Sequence, residues 1–352
     1  MGHLVIRADG SSKVGAGHIM RCLALAQAWR NCGGTAIFLC HCTSDALRAR
    51  ITEEGFDLES VEAPHPDPCD LKKALRRISA LQEESGNRVW VVLDGYHLGP
   101  GYQKALQEAG YRLLVIDDTA NHSFYHADIV LNQNLWAERM FYPCDLDTKC
   151  LLGTRYTLLR QEFLSWRNWN REIPEVARNI LVTLGGADPD NVTLRMIEAL
   201  GSAGTTNLDI KVLLGPANPH RESVKSALAS LSCRFHLIYH VENMTELMAW
   251  ADLALTSGGS TCLEMAFMGL PSVIVTLAEN QEKAARALQE AGVALSIGWF
   301  HVIDSKRLAQ VLDDLVHDRK RRQQMSRRGR HIVDGMGAKL VTEAMQEQLR
   351  SN

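Results

Sequence analysis

The sequence predicts an α/β protein built from two doubly wound domains, each a parallel sheet covered by helices on both faces. Three observations predict it. Apolar, β-rich runs alternate with helix-patterned stretches along nearly the whole chain. The alternation breaks once, between residues 153 and 175. At 352 residues, the chain is longer than one core ordinarily fills. In the first half, strands are expected over 4–8, 35–40, 89–93, 112–116 and 129–131, with helices over 18–31, 44–54, 70–84 and 100–109. The second half repeats the theme, with strands over 179–183, 209–214, 235–239, 252–256, 272–275 and 294–296. Its helices are expected over 191–201, 222–229, 244–251, 260–268 and 281–291. At the break, Tyr156-Thr157-Leu158-Leu159-Arg160 leads into a charged stretch with Trp166 and Trp169 that ends at Pro174. The domains are accordingly assigned to 1–156 and 157–352, the second including a helical tail from Lys306. Such sheets bind ligands outside the carboxyl ends of their strands, so the two domains are expected to face a central cleft.

Bulk properties exclude several classes. Hydrophobic residues are 46% and charged residues 22%, ordinary for a globular protein. Lys+Arg 38 against Asp+Glu 41 gives a net charge of −3, which provides no global field for nucleic acid. No apolar window reaches the roughly 18 residues of a membrane span, and the first residues lack a signal peptide's regions. Residue 6 is Ile, where a myristoylation motif places Ser or Thr. A cytoplasmic location is expected. Nine cysteines, mostly inside apolar stretches, suit buried reduced thiols better than disulfides. Cys40-His41-Cys42 has metal-ligating residue types, yet no second pair stands at zinc spacing, so no metal is expected. The tail's Arg319-Lys320-Arg321-Arg322 and Arg327-Arg328 read as a solvated helix face.

After the first strand comes the glycine-rich loop Gly10–Gly17, then a helix with Ile19, Cys22, Leu23 and Ala26 on one face. Free N–H groups and the positive dipole end at such a helix start welcome anions. The dinucleotide fingerprint fails, because Met20 stands where its third glycine belongs and the second strand closes on Cys40-His41-Cys42 without an acid. What remains is Gly-Ala-Gly-His. The helix dipole is expected to disfavour a charged His18, leaving a neutral imidazole able to act as a general base. A capping or phosphate-touching role for His18 fits this loop equally well.

Two loops of the second half repeat the arrangement. Leu184-Gly185-Gly186-Ala187-Asp188-Pro189 follows one strand, and Ser257-Gly258-Gly259-Ser260-Thr261 follows another. Each combines glycines with a helix start, a suitable cradle for a diphosphate; sharp structural turns would account for one of them as well. Glu264, in the first turn after the second loop, is stabilised by the dipole and could also accept both hydroxyls of a ribose. Asn280 and Gln281 carry donors and acceptors suited to sugar hydroxyl or acetamido groups, while Asn280 could instead cap the helix that follows.

The ordered set of motifs resembles a known family, the nucleotide-sugar hydrolases of pseudaminic acid biosynthesis, relatives of the GT-B glycosyltransferases. The stretches that carry the resemblance are Ile6–Asp9 with Gly15–Leu23, Leu93–Tyr96, Ile116–Asp118, Leu131–Asn134 and Tyr156–Phe163. They continue with Gly185–Pro189, Ser257–Glu264, Ala278–Gln281 and Asp334–Ala338. The resemblance implies a GT-B-like pair of Rossmann-like domains, the first carrying the base and sugar site and the second binding UDP. It implies hydrolysis of UDP-2,4-diacetamido-2,4,6-trideoxy-β-L-altropyranose by water, with inversion and without metal or cofactor, with His18 as base and Tyr96 and Asn280 positioning water or sugar. Arg160, Gly185, Gly186, Ser260, Thr261 and Glu264 fall where related GT-B proteins hold the nucleotide diphosphate, and Gly17 and Gln281 are expected to bind the substrate beside them. The partner implied is this small molecule alone.

Three alternatives remain. A GT-B glycosyltransferase using a UDP-N-acetyl sugar donor would need an acceptor groove. A sugar-nucleotide 2-epimerase would want several acids near the anomeric centre. A sensor would bind a UDP-sugar without turnover.

Overall fold

A computed structural model of the chain describes residues 2–11, 15–86, 88–186, 188–202, 207–215, 218–229, 234–239, 241 and 243–350. Val14 of the first glycine loop, with Ser12 and Lys13, lies outside the described residues, as do Ala187 of the second loop and Cys233. The chain divides into two units, Met1–Gln161 with Gly335–Asn352, and Glu162–Asp334.

Unit 1 alternates strands and helices from its first residues: β1 (His3–Ala8), α1 (Gly17–Asn31), β2 (Thr35–Cys40), α2 (Asp45–Glu53), β3 (Asp57–Ser60), α3 (Pro68–Ser85) and β4 (Val89–Asp94). It continues with α4 (Pro100–Glu108), β5 (Arg112–Ile116), β6 (Ile129–Asn132) and β7 (Lys149–Leu152), and ends in the short α5 (Gln161–Leu164), which straddles the unit boundary. The seven strands are all parallel, in the order β3-β2-β1-β4-β5-β6-β7. Central strands have both faces covered, so alternate residues enter different cores. Leu4, Ile6, Phe38, Trp90 and Val92 pack under α1. Val5, Ile37, Leu39, Val91 and Leu93 pack with residues of α3 and α4 on the other face. The helix starts follow local chemistry. Asp67 accepts from Cys69 N at 2.8 Å ahead of Pro68, and Gly86, in the left-handed region at φ 64°, closes α3.

Unit 2 holds β8 (Asn179–Thr183), α6 (Val192–Ser202), β9 (Asp209–Leu213), α7 (Arg221–Ala229), β10 (Arg234–Ile238), α8 (Met244–Trp250) and β11 (Leu253–Ser257). Then come α9 (Thr261–Phe267), β12 (Ser272–Thr276), α10 (Glu279–Glu290), β13 (Ala294–Trp299), α11 (Ser305–His317) and α12 (Arg319–Ile332). Its six parallel strands run β10-β9-β8-β11-β12-β13, the same winding as the first six of unit 1.

Several expectations are corrected. β3 and β7, absent from the expected strands, are edge strands of four residues; β3 has one apolar residue and β7 three, too short a run to stand out, and few of their positions are fully buried. The boundary falls after Gln161, and the tail is divided. α11 and α12 stay with unit 2, whereas the last helix, α13 (Gly337–Arg350), belongs to unit 1. Val341, Ala344 and Met345 of α13 share a core with Leu23 and Trp29 of α1, and burial of that apolar stripe decides where the helix docks. Gly337 permits the approach, since a Cβ there would lie 2.2 Å from the Thr157 carbonyl oxygen. The basic run is not all solvated either. Arg322 is fully buried and donates to the carbonyls of Leu315, Pro174, Glu175 and Val316 at 2.9–3.1 Å. Among the described cysteines, Cys22, Cys40, Cys42 and Cys262 are buried, but Cys32, Cys69 and Cys150 are exposed. Among the described residues, no helix is long and apolar enough to cross a membrane.

Candidate active site at the strand-order reversal

In unit 1 the strand order reverses between β1 and β4, which lie side by side with Ala8 opposite Asp94. The connections after these two strands leave in opposite directions along the sheet, opening a crevice at the carboxyl ends. His18 enters it from the β1 side as the second residue of α1, and Gly17 is the first. Gly15, at φ 83°, turns the loop, and its amide donates to Ser11 O at 2.8 Å. Ala16 caps the helix without a side-chain hydrogen bond.

The partner of His18 comes from the other strand. Asp94, the last residue of β4, has no exposed surface, and its Oδ1 lies 2.5 Å from His18 Nδ1. Arg21, one turn along α1, donates to both oxygens of Asp94, at 2.6 and 2.7 Å. Its remaining donor reaches Asp118 at 2.7 and 3.0 Å, and Asp118 also accepts from Asn134 Nδ2 at 2.6 Å. Burial alone would raise the pKa of Asp94, but the Arg21 guanidinium and His18 outweigh it and hold the carboxyl well below its usual range. Burial likewise opposes the charge of Arg21, yet Asp118 and Asp94 raise its pKa well above the ordinary value. Asp94 and Arg21 are therefore an ionised, mutually braced pair, and Asp118 holds the far side of the guanidinium. Tyr96 follows Asp94 by two residues; its ring meets the His18 imidazole edge-on at 5.3 Å, and its hydroxyl donates to Asp118 at 3.4 Å. Tyr96 is 43% exposed and His18 only 8%, so the imidazole is sheltered behind a more open phenol.

A second Asp–His couple crosses the first. Asp9, just past β1, lies 3.0 Å through Oδ2 from Nε2 of His97, in the loop after β4. Asp9 also accepts from the His41 amide at 2.8 Å and from Arg7, whose guanidinium grips Asp70 at 2.6–3.2 Å. Burial opposes ionisation of Asp9, and His97 and Arg7 overcome it, so its pKa is lowered. Gly95 has to be small here, because a Cβ would stand 2.8 Å from the His97 ring.

Unit 2 has its own reversal, between β8 and β11. Gly185, at φ 93°, and Gly186 follow β8 and are exposed. Asp188 then accepts from Val192 N and Thr193 N at 2.8 and 2.9 Å, which starts α6. Ser260 is the N-cap of α9, Thr261 its first residue, and Glu264 lies in its first turn. Asn280 is exposed and sits inside α10, which begins at Glu279 with Ala278 as its cap, so it does not cap the helix. Gln281 ties two loops together, its Oε1 accepting from Gly258 N at 3.2 Å and Leu277 N at 3.0 Å.

The sequence-derived residues thus fall in two groups. Gly17, His18 and Tyr96 meet at the reversal of unit 1. Gly185, Gly186, Ser260, Thr261, Glu264, Asn280 and Gln281 follow the carboxyl ends of β8, β11 and β12 in unit 2. Arg160, only 5% exposed, lies in unit 1 and not in the second domain that a boundary at 156/157 implies. Sequence reasoning gave no role to Asp94, Arg21, Asp118, Asp9 or His97. A signal existed: Asp9, Asp94 and Asp117-Asp118 end or directly follow three neighbouring apolar strands on their carboxyl side, where a buried carboxylate calls for a partner.

Comparison with known proteins sets this arrangement in context. Residues 179–339 match the glycosyltransferase family 28 C-terminal domain. The structure of Acinetobacter baumannii MurG resembles the chain with a TM-score of 0.68, covering 98% of this chain and 99% of that one at 18% identity. The fold is that of the GT-B class, two Rossmann-like α/β domains in one chain. Among sequence relatives, an uncharacterized protein of Methanocaldococcus jannaschii is 28% identical over 80% of this chain, which spans 57% of that protein's length. The spore coat polysaccharide biosynthesis protein SpsG of Bacillus subtilis is 23% identical over 98% of both chains. The UDP-2,4-diacetamido-2,4,6-trideoxy-β-L-altropyranose hydrolase of Campylobacter jejuni is 25% identical over 82% of this chain and 97% of its own length. The family that the motifs resemble is thus represented among the chain's relatives.

Proposed function

We propose that the chain hydrolyses a UDP-linked, acetamido-bearing deoxy sugar, UDP-2,4-diacetamido-2,4,6-trideoxy-β-L-altropyranose, to UDP and the free sugar. The observation that carries the reading is the 2.5 Å contact between His18 Nδ1 and Asp94. An ionised carboxylate only accepts, so in the neutral imidazole Nδ1 carries the proton and Nε2 the lone pair. Nε2 takes a proton from water as the water oxygen attacks the anomeric carbon. The bond to the UDP oxygen breaks on the opposite face, and its electron pair leaves on the diphosphate. One base and one water give inversion, unlike the paired carboxylates of ordinary glycosidases. Asp94 orients the imidazole and stabilises the imidazolium that forms, with Arg21 and Asp118 bracing Asp94. Tyr96 and Asn280 position water or sugar.

Unit 2 holds the nucleotide in this reading. Gly185, Gly186, Ser260 and Thr261 offer amides and hydroxyls to the diphosphate, and Glu264 accepts from the ribose. Gln281 keeps the β11 and β12 loops in register for that task. Arg160 and Gly17 are assigned to the diphosphate and the sugar. Once its charge is met, UDP leaves without a strong acid, so no metal or cofactor is invoked. The relatives' hydrolase names support the substrate class.

The match to a glycosyltransferase domain favours a second reading, transfer of a UDP-N-acetyl sugar to an alcohol. One experiment separates the two. The UDP-sugar is incubated with the protein and EDTA, with no acceptor, and products are followed by NMR. Expected are UDP and free sugar, initially as the inverted anomer. Absence of turnover until an alcohol is added would establish transfer; a retained anomer would exclude direct attack by water.

A further inference from the structure

The exposed edge of unit 1 holds a pair of thiols outside everything described so far. Cys144 Sγ and Cys150 Sγ lie 4.0 Å apart, Cys150 exposed and Cys144 half-buried. Both backbones are fixed. Cys150 is the second residue of β7, opposite Val130. Cys144 forms a β-bridge with Tyr125, whose amide donates to Pro143 O at 2.7 Å. Two residues earlier, the Tyr142 hydroxyl accepts from Asn132 at 2.7 Å and donates to the Asp117 carbonyl at 3.1 Å, which anchors the approach to Cys144. Between the cysteines the chain makes one turn, closed by Thr148 N to Asp145 O at 3.1 Å. Among the described residues, Cys32 and Cys69 are the other exposed cysteines.

We propose that Cys144 and Cys150 form a reversible intramolecular disulfide by exchange with a small-molecule disulfide, making this edge a covalent modification site. A disulfide needs the sulfurs at about 2.05 Å, so the gap closes by about 2 Å, within the reach of side-chain rotation. The exchange has two steps. The Cys144 thiolate attacks one sulfur of RSSR, forming a mixed disulfide and releasing RS⁻. The Cys150 thiolate then attacks the Cys144 sulfur, forming the internal bond and expelling the second RS⁻. In sum, two protein thiols and one RSSR become one protein disulfide and two RSH. Burial and the facing Cys144 push the Cys150 thiol up, so the reaction quickens as pH rises. Asp145 and Asp147, both exposed, set carboxylates beside the pair, which favours a cationic disulfide such as cystamine.

The test uses the full chain in native buffer with excess cystamine, then alkylation and tryptic digestion without reductant. Cleavage after Arg139, Lys149 and Arg155 places the two cysteines on separate peptides, 140–149 and 150–155. The expected result is these peptides joined by a disulfide, with Cys32 and Cys69 carrying cystamine adducts only. In Cys150→Ser, Cys144 should stop at the mixed disulfide. The ratio of internal bond to mixed disulfide should exceed that of the urea-unfolded chain by about tenfold, the mark of a pre-arranged pair. Mixed disulfides persisting on both cysteines, an unreacted pair while Cys32 and Cys69 react, or equal ratios in native and unfolded chains would each overturn the proposal.

Discussion

Asp94→Asn is the sharpest perturbation of the proposed chemistry. Asp94 has no exposed surface and accepts from His18 at 2.5 Å and from Arg21 at 2.6 and 2.7 Å. Asparagine keeps the shape but offers one acceptor oxygen and one donating amide. If the amide faces His18, it donates to Nδ1 and moves the imidazole proton to Nε2, the atom that has to take a proton from water. If it faces Arg21, two donors oppose each other. General-base catalysis contributes about 10²–10⁴ in rate, about 2.7–5.5 kcal/mol, so kcat should fall by that factor. Breaking a buried ion pair costs about 3–5 kcal/mol, and because Arg21 keeps Asp118 the loss of stability should lie near the lower end. UDP release under saturating substrate gives kcat, and urea denaturation gives stability. The double variant with His18→Asn should lose little more than either single variant, since Asp94 acts through His18. A folded Asp94→Asn protein within about threefold of the parent kcat, or fully additive losses in the double variant, would refute the reasoning.

Other outcomes follow from the same geometry. Asp9, Asp70 and Asp94 all have lowered pKa values in the folded chain, so the stability they contribute is present above the unfolded carboxylate value of about 3.9 and is lost as pH falls through their folded values. Urea midpoints should therefore stay level in these groups' contribution between about pH 5 and 7 and drop steadily below about pH 4, less steeply in Asp94→Asn. Gly258→Ala would put a Cβ 2.9 Å from the Gln281 Cβ and carbonyl oxygen, and should destabilise the chain by about 1–3 kcal/mol, whereas Gly259→Ala meets nothing within 4 Å and should not. Equal denaturation midpoints for the two would contradict that packing. Met345→Ala removes a fully buried side chain where α13 docks on α1 and should cost about 2–5 kcal/mol; a loss under about 0.5 kcal/mol would show that α13 is not held there.

The sequence by itself determined most of the element order. Strands such as Thr35–Cys40 and Arg112–Ile116 appear where their apolar runs are written, because a strand covered on both faces is apolar along most of its length. The glycine loops could also be read, since tight turns at helix starts restrict residue type. What escaped were features without a local signature. β3 and β7 are short edge strands with little to bury, and α13 resembles any amphipathic tail helix until a partner face is specified. The tertiary structure alone decided that His18 faces Asp94. Seventy-six positions separate them, and they meet because β1 and β4 are neighbours although β2 and β3 intervene in the chain. In the sequence, the helix end is the only electrostatic partner in view for His18. Strand order supplies the other, a buried carboxylate, because parallel crossovers bring the ends of sequence-distant strands side by side, and no local pattern records which strands those will be.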